Sequence, residues 1–429
     1  MSGPNFARLP GFRDFVPEDL AIRQHVFDAW RAVSRRYGFR EYDAPPLEPL
    51  DLYVEKSGEE IVGQLYNFED KGGRQITLRP EMTPSLARVL GERSRGMSKP
   101  IRWFAVPQLF RYERQQRGRL REHFQWNVDI VGEAAEAADA EVLGVALDSL
   151  RMLGLSHEVI HARVSDRRLL TAILNAYGMD EAERSNAFAI IDKVERTPAD
   201  KSLERLTAEC GLSADKAEAL LALIDAASLD AVRDQLGSDA AVVEALAPLE
   251  GYLSMLAAMG LAEFVTFDLR IVRGLAYYTG IVFEIFDRAG EFRAVCGGGR
   301  YDRLLELVGG EALPAVGFGM GDVVLTELLK DQGLLPDVSP EIDFFIVTVG
   351  EETQELAREV AQRLRERGRS VAYPLRDQAV RKQFKAAENE GAREVIILGP
   401  DEVGRGVCLL RDMKTGDERE VAIPALGEV

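Results

Sequence analysis

Five arginines fall within eleven residues of this chain. Residues 111–121 read Arg-Tyr-Glu-Arg-Gln-Gln-Arg-Gly-Arg-Leu-Arg, with Gly118 to turn the backbone. Apolar runs with strand character, Trp103–Leu109 and Phe124–Val131, stand on either side. The pattern predicts a hairpin whose mouth carries several guanidinium groups. Such groups can clamp a polyphosphate through paired hydrogen bonds, or touch an RNA backbone. The plain alternative is a solvated hairpin tip.

Two further clusters could do chemistry. In Leu78-Arg79-Pro80-Glu81-Met82-Thr83, the carboxylate and the hydroxyl are two residues apart. On an extended segment Glu81 and Thr83 share one side, where they could hold an ammonium group. The second cluster is Val272-Arg273-Gly274-Leu275-Ala276-Tyr277-Tyr278-Thr279-Gly280, followed by Cys296-Gly297-Gly298-Gly299-Arg300-Tyr301-Asp302. Glycine runs let backbone approach a ligand, and tyrosines offer flat walls with a polar tip. Ordinary core packing explains the tyrosines equally well.

Two other patterns are decoys. His157-Glu158-Val159-Ile160-His161 matches the zinc-protease spacing, which works only on a helix. Here Gly154 ends the preceding helix and the β-branched residues favour a strand. That would place the two imidazoles roughly 13 Å apart, at about 3.3 Å per residue. No metal site is expected. Gly317-Phe318-Gly319-Met320-Gly321 resembles a dinucleotide loop, but the spacing needs glycine where Asp322 stands. Two of these glycines are read as permitting close backbone approach.

The elements that must position these groups follow from periodicity. Residues 18–37 have helical spacing, closed by Gly38. Pro45 and Pro46 keep the next segment extended. Short strand-like runs follow at Gln75–Leu78, Ile101–Val106, Gln108–Arg111 and Phe124–Val131, which suggests an antiparallel sheet without long helices. A helix is expected over 137–153 and a strand over Glu158–Val164. Residues 167–260 read as a helical insert. Strands return at Val265–Ile271, Ile281–Phe286 and Phe292–Val295, and a helix at Asp322–Leu329. After a linker over Gly333–Pro340, a β-α-β-α-β order to Leu398 implies a small α/β domain with a mostly parallel sheet.

The bulk properties bound the function. At 429 residues the chain is long enough for two or three domains. No uninterrupted apolar run approaches the about 18 residues of a membrane span. Residues 1–13 have no apolar signal core, and Cys210, Cys296 and Cys408 form no spaced pair. The expectation is a cytoplasmic protein in a reducing compartment, away from membranes. The net charge of -18 votes against nucleic acid as a bulk partner, yet a local basic patch can still bind RNA.

Taken together, the arginine hairpin, the Arg273 segment and the Gly-Gly-Gly-Arg-Tyr-Asp segment resemble the class II histidyl-tRNA synthetase family, in that family's order along the chain. Gly11-Phe12-Arg13-Asp14-Phe15-Val16-Pro17 resembles its N-terminal signature. Gly38-Phe39…Pro45…Glu48 resembles its first class II motif, which builds a dimer interface. Arg381-Lys382-Gln383-Phe384-Lys385 and Ile396-Ile397-Leu398-Gly399 resemble its anticodon-binding domain.

The resemblance implies an α+β fold, an antiparallel catalytic core with a helical insert and a C-terminal α/β anticodon-binding domain. The implied boundaries are 1–166 and 261–332 for the core, 167–260 for the insert, and 340–429 for the last domain. It implies a homodimer that joins L-histidine to tRNA(His), uses ATP with Mg2+, and has no DNA partner. Arg111 would contact the α-phosphate and the substrate carboxylate, and Arg273 would stabilise charge developing there. Glu81, Thr83 and Gln125 would hold the histidine amino group, and Asp129 would face the imidazole. Tyr277, Tyr278 and Tyr301 would close that pocket. Glu113 would hold the adenine, while Arg114, Gln116 and Arg117 would meet tRNA. The helical insert occupies the family's place for leaning on the acceptor arm, and Arg376, Arg381, Lys382 and Lys385 could meet the anticodon stem-loop.

Four positions depart from the family pattern. Val324 falls where an arginine normally reaches the γ-phosphate, and His123 where phenylalanine normally stacks on adenine. Ala276 replaces a usual acidic residue, and Gln115 a usual proline. The expectation is a remodelled nucleotide pocket in which His123 stacks on the base and Arg119 or Arg121 covers the γ-phosphate. The rival reading is the non-catalytic regulatory subunit of ATP phosphoribosyltransferase, which shares the core but usually lacks the C-terminal domain.

Overall fold

The computed structural model describes residues 6–57, 59–112, 116, 118–272, 278–307, 310–339 and 341–426. The chain divides into two compact units, Met1–Pro336 and Asp337–Val429.

The first unit is organised by a nine-stranded sheet. Its strands run in the order Arg40–Glu41, Ile101–Ala105, Glu122–Val131, Ala315–Gly321, Cys296–Arg300, Ile281–Asp287, Ile160–Asp166 and Val265–Phe267, with Gln108–Phe110 paired beside Glu122–Val131. The interior pairings are antiparallel and only the two edge pairings are parallel. Alternation divides the side chains between two faces. One face presents Trp126, Val128, Ile130, Phe318 and Met320, all buried. The helices Pro17–Arg36 and Glu136–Met152 cover that face. The first starts on a proline with Glu18 and Asp19 in its opening turn, and ends with Arg35 and Arg36. Its buried Trp30 stacks on Trp126 with centroids 5.8 Å apart, and Ser34 Oγ accepts from Trp126 Nε1 at 3.1 Å.

Three sequence expectations shift. Strand character was read over Phe292–Val295, but the strand is Cys296–Arg300, which carries three consecutive glycines. Ala315–Gly321, likewise broken by glycine, is also a strand. Glycine is a poor strand former, so propensity points away from both, and pairing on two sides overrides it. Thr83 does not continue an extended segment: it opens the helix Thr83–Arg93, started by Pro84, and Met82 before it is already in the helical region. The two-residue alternation therefore does not bring Glu81 and Thr83 to one side.

Residues 167–258 hold six α-helices, from Arg167–Ala176 to Ala240–Ala258. They share one hydrophobic cluster with the sheet, through Leu170, Ile173, Leu220, Leu249 and Tyr252 against Val164 and Phe283. Ala240–Ala258 is long and apolar enough to cross a membrane by length and composition. It nonetheless buries Val242, Leu246, Leu249, Tyr252 and Leu256 in this cluster, and Glu250 on it pairs with Arg233. His161 lies on the strand Ile160–Asp166 and His157 in the turn before it. Their rings face Phe286 and Phe264 respectively, so the two imidazoles do not converge.

In the second unit the strands run in the order Val371–Ala372, Ile342–Thr348, Ala392–Leu398, Val407–Asp412 and Glu418–Ala422. The first three are parallel, as expected for the β-α-β-α-β order; the last two add an antiparallel hairpin that lies beyond that reading. The helices Gln354–Glu366 and Val380–Asn389 pack on opposite faces of this sheet. Buried Gln383 accepts from the Thr348 N–H at 2.8 Å and donates to its carbonyl at 2.9 Å.

Arg300 ties the sheet of the first unit to the covering helix. It is 4% exposed, donates through Nε to both Asp139 oxygens at 3.2 and 3.1 Å, and donates to the carbonyls of Glu133 and Ala135 at 3.0 and 3.2 Å. Breaking a buried pair strands the remaining charge. Arg300→Met is expected to destabilise this unit by about 3–5 kcal/mol. Urea unfolding read by tryptophan fluorescence checks this, because all three tryptophans lie in this unit. A loss below about 1 kcal/mol would contradict it.

Candidate active site

The second face of the sheet carries almost no side chains at its centre. Gly317 pairs with Asp129 on one side and Gly299 on the other; Gly319 pairs with Asn127 and Gly297; Gly321 pairs with Gln125. These residues share one face, so glycines floor the middle strands. Space over that floor is taken by neighbouring side chains. A Cβ on Gly317 would lie 2.2 Å from Asp129 Oδ1, one on Gly319 would lie 2.7 Å from Gln125 Nε2, and one on Gly299 would lie 3.0 Å from Tyr278 Cδ1. Gly317 permits the close backbone approach read from the sequence, since its Cβ would also lie 2.6 Å from the Val128 carbonyl oxygen, and both Gly317 and Gly319 admit side chains of the protein itself.

Asp129 is buried, and Tyr301 donates its hydroxyl to Asp129 Oδ1. Trp103 is the register partner of Asp129 on the other side, and its ring rests on Tyr42 with centroids 5.2 Å apart. Thr279 donates to Asp302 at 2.8 Å, and its N–H donates to the Arg300 carbonyl at 2.8 Å. These bonds fix the segment that carries Tyr278. In the segment before Glu81, buried Arg79 donates to the Gln108 carbonyl and to Asp43 at 3.1 and 2.9 Å. Arg111 Nε donates to the Pro80 carbonyl at 3.0 Å, beside Glu81, and Arg111 also lines a cleft.

That cleft, about 810 Å³, is lined by Arg111, Arg119, His123 and Gln125 among the residues singled out from sequence. His123 and Phe124 point to opposite faces, as neighbours on a strand must. Phe124 is turned toward the N-terminal segment, against Phe15 and Phe27 and under the Arg23 guanidinium. His123 faces the cleft. Burial pushes its pKa down to about 3, and the charges of Arg111 and Arg13 push the same way, so it is neutral near pH 7. Arg121 does not line the cleft; its guanidinium covers the Tyr112 ring at 4.4 Å. Gln116 is exposed and accepts from Arg293. Glu113, Arg114, Arg117, Arg273 and Tyr277 lie outside the described residues.

An N-terminal strap holds the base of the hairpin. The Gly11 carbonyl accepts from the N–H groups of Arg121 and Glu122 at 3.0 and 3.3 Å. Arg13 bonds Glu122 at 2.7 Å and Asp322 at 2.9 Å, while Asp322 accepts from the Phe124 N–H at 2.9 Å. The strap, the hairpin and the start of the helix Asp322–Asp331 are thereby one charged knot. Sequence reasoning singled out neither Glu122 nor Asp322. Nor did it single out Arg196, Arg293 or the acidic Glu284, Glu291 and Glu327, all of which line the cleft. These are isolated residues of common types in unremarked segments, and no local pattern distinguishes them. Among the described residues, no three His, Cys, Asp or Glu side chains gather as a metal site.

Comparison with known proteins bears on the family and the fold. A family model described as histidyl-tRNA synthetase matches residues 11–322, and one described as anticodon binding domain matches residues 343–429. A histidine–tRNA ligase of Opitutus terrae is 42% identical, over 97% of this chain and 96% of its own length. The chloroplastic/mitochondrial histidine–tRNA ligase of Arabidopsis thaliana is 41% identical, over 97% of this chain and 85% of its own length. Among solved structures, apo histidyl-tRNA synthetase of S. aureus has a TM-score of 0.76 at 26% identity, covering 99% of both chains. The Nostoc histidyl-tRNA synthetase, at 24% identity, shares the fold with a TM-score of 0.84 over 99% of this chain and 98% of its own. The Bacillus halodurans structure whose title pairs an ATP phosphoribosyltransferase regulatory subunit with histidyl-tRNA synthetase is 24% identical, with a TM-score of 0.76 over 91% of this chain and 98% of its own.

The His123 environment has a measurable consequence. Its folded pKa lies below the ordinary value near 6.5, so the folded state resists protonation. The stability it contributes is fully present above about pH 6.5 and is lost as pH falls toward 3. The unfolding free energy of the wild type minus that of His123→Phe should be flat from pH 7 to 8. Below about 6.5 it should fall, by up to about 1.4 kcal/mol per pH unit. A difference that stays flat down to pH 5 would show that His123 is freely solvated.

Proposed function

Because this chain belongs to the histidyl-tRNA synthetase family, and so is a histidine–tRNA ligase that uses ATP, we propose that the pocket around Asp129 holds L-histidine and the cleft around Arg111, Arg119 and His123 holds the nucleotide. The observation that carries this division is the Tyr301–Asp129 hydrogen bond over the glycine floor. A buried carboxylate with one oxygen already accepting a hydroxyl keeps acceptor capacity for an imidazole N–H. Tyr278 walls the ring, and the family motif gives Tyr277 the same role. The family motif assigns the ammonium group of the substrate to Glu81, Thr83 and Gln125, and of these Gln125 lies over the glycine floor beside Gly319.

The reaction then follows from placement. The histidine carboxylate oxygen attacks the α-phosphorus in line, and the bond to the leaving pyrophosphate breaks. Arg111 spans the two substrates, its guanidinium anchored on the Pro80 carbonyl, and stabilises the charge that develops. Arg273 shares this role and Glu113 holds the adenine, both on the strength of the family motifs. Neutral His123 stacks on the base without adding to the positive charge of Arg111 and Arg119. Glu284, Glu291 and Glu327 line the cleft without gathering as one metal site among the described residues, and any one of them would meet a nucleotide-bound Mg2+ singly or through water. Magnesium bound with the nucleotide would neutralise phosphate oxygens there.

For tRNA(His), Gln116 of the described residues, with Arg114 and Arg117, is placed on the acceptor end by the motif. Residues 343–429 match an anticodon-binding domain, and its Arg376, Arg381, Lys382 and Lys385 are the cations we assign to the anticodon stem-loop. Contacts to phosphates weaken steeply with salt. We read the protein as a cytoplasmic homodimer, from its three buried cysteines, none of them in a disulfide, and the Gly38–Glu48 motif.

Histidine-dependent ATP–pyrophosphate exchange tests the reading. The wild type should exchange with histidine and not with other amino acids. Arg111→Ala should lower the rate about 10²–10³-fold, as losing one fixed transition-state contact does. A folded wild type that binds histidine and gives no exchange would overturn it.

A further inference from the structure

The cleft holds more positive charge than the hairpin brings to it. Arg293 lies on the loop between the strands Ile281–Asp287 and Cys296–Arg300, far in sequence from residues 111–121, yet lines the same cavity as Arg111 and Arg119. The loop is pinned. Asp287 accepts from the N–H groups of Glu291 and Phe292 at 2.8 and 3.1 Å, Val295 N–H donates to the Ile285 carbonyl at 2.8 Å, and Arg288 donates to the His157 carbonyl at 2.6 Å. A fixed loop therefore delivers this guanidinium to the cleft mouth.

Its partners are telling. Arg13, Arg88, Arg163, Arg168, Arg270 and Arg300 each pair with a carboxylate. Among the described residues Arg293 pairs with none, and donates only to the amide oxygen of Gln116 on the hairpin. It stands close enough to Arg119 to count. The charged form of Arg119 is disfavoured first by burial, then by the charges of Arg293 and Arg111. Glu284, Glu291 and Glu327 line the same cleft, but a guanidinium that pairs with no carboxylate beside a second guanidinium is an unfavourable arrangement that a bound anion relieves. Val324, by contrast, supplies no charge. Its Cγ2 lies 3.1 Å from where a Cβ on Gly118 would stand, so it sits beneath the hairpin turn as a buttress.

We propose that Arg293 and Arg119 form a two-sided pincer on the β- and γ-phosphates of ATP, one jaw from the 288–295 loop and one from the hairpin. The proposal rests on the reading of this cleft as the nucleotide site and adds a residue to it. Arg293 holds the pyrophosphate end and orients the leaving group in line, while the Gln116 bond keeps the two jaws in register before nucleotide arrives. The geometry also makes Arg293 a site for free pyrophosphate in the reverse direction. That oxyanion class, and not the base or the amino acid, is what it recognises.

Exchange kinetics on the full chain separate the outcomes. Arg293→Ala should raise the KM for ATP and for pyrophosphate about tenfold or more, the loss of a charge-assisted contact. It should leave the KM for histidine and the inhibition constant of AMP within about twofold, because neither carries the outer phosphates. Arg293→Lys should recover part of the loss, since a point charge remains. Gln116→Ala removes the tether and keeps the charge, so it should cost less than Arg293→Ala. Unchanged KM values for ATP and pyrophosphate in Arg293→Ala would overturn the proposal. So would a loss fully reproduced by Gln116→Ala, or one shared equally by AMP, because Arg293 would then only shape the hairpin. A wild type without histidine-dependent exchange would sink the nucleotide reading itself, and this proposal with it.

Discussion

The structure depends on an asymmetry between the two faces of one sheet. One face must be filled to hold the unit together, and it is, by Trp126, Val128, Phe318 and Met320 against the helices Pro17–Arg36 and Glu136–Met152. The other face must be nearly bare at its centre so that substrates can lie on it. Gly297, Gly299, Gly317 and Gly319 supply the bareness, two on each of two adjacent strands and in register. Strand glycines cost conformational entropy, and two-sided pairing in the middle of the sheet offsets it. What they release is room for Asp129 and Gln125 to lie flat across neighbouring backbone, where a side chain of any size would stand in their place.

Charge is handled with the same division. A chain of net charge -18 has carboxylates to spare, and most of its buried arginines are neutralised. The Arg13–Glu122–Asp322 knot uses that surplus to bind three separate segments at the foot of the hairpin. In the cleft above, Arg111 and Arg119 face in from the hairpin and Arg293 from the 288–295 loop, beside Glu284, Glu291 and Glu327. The negative protein thereby gathers guanidinium groups in one place, and its bulk charge gives a poor guide to what that cleft binds.

Much of this was legible in the sequence, and the failures have physical causes. The hairpin, the first helix, the helical run after residue 167 and the parallel strands of the second unit follow from periodicity and turn residues. The glycine strands do not, because propensity measures what a residue prefers alone and these strands exist through their neighbours. Thr83 was misread for a related reason. Arg79, Pro80 and Glu81 look extended, and Pro84 could as easily end a strand as begin a helix. The residues assigned to histidine came from motif resemblance; of these, Asp129, Tyr301, Tyr278 and Gln125 gather about the glycine floor, Arg111 lines the cleft, and Glu81 and Thr83 are not brought to one side by strand alternation. Arg293 left no trace in the sequence. Its loop has no motif, and only the fold brings it opposite the hairpin.

The central claim is that the bare floor is what lets Asp129 read the imidazole. Equilibrium binding of histidine, by calorimetry, to Gly317→Ala and Gly321→Ala tests it most directly. The added methyl would collide with Asp129 and with the Val128 carbonyl beside it in the first variant and meet nothing within 4 Å in the second, on the same strand and the same face. The account predicts that Gly317→Ala weakens histidine binding about tenfold or more, with circular dichroism unchanged, and that Gly321→Ala leaves it as it was. Equal affinity in both variants and the wild type would contradict it.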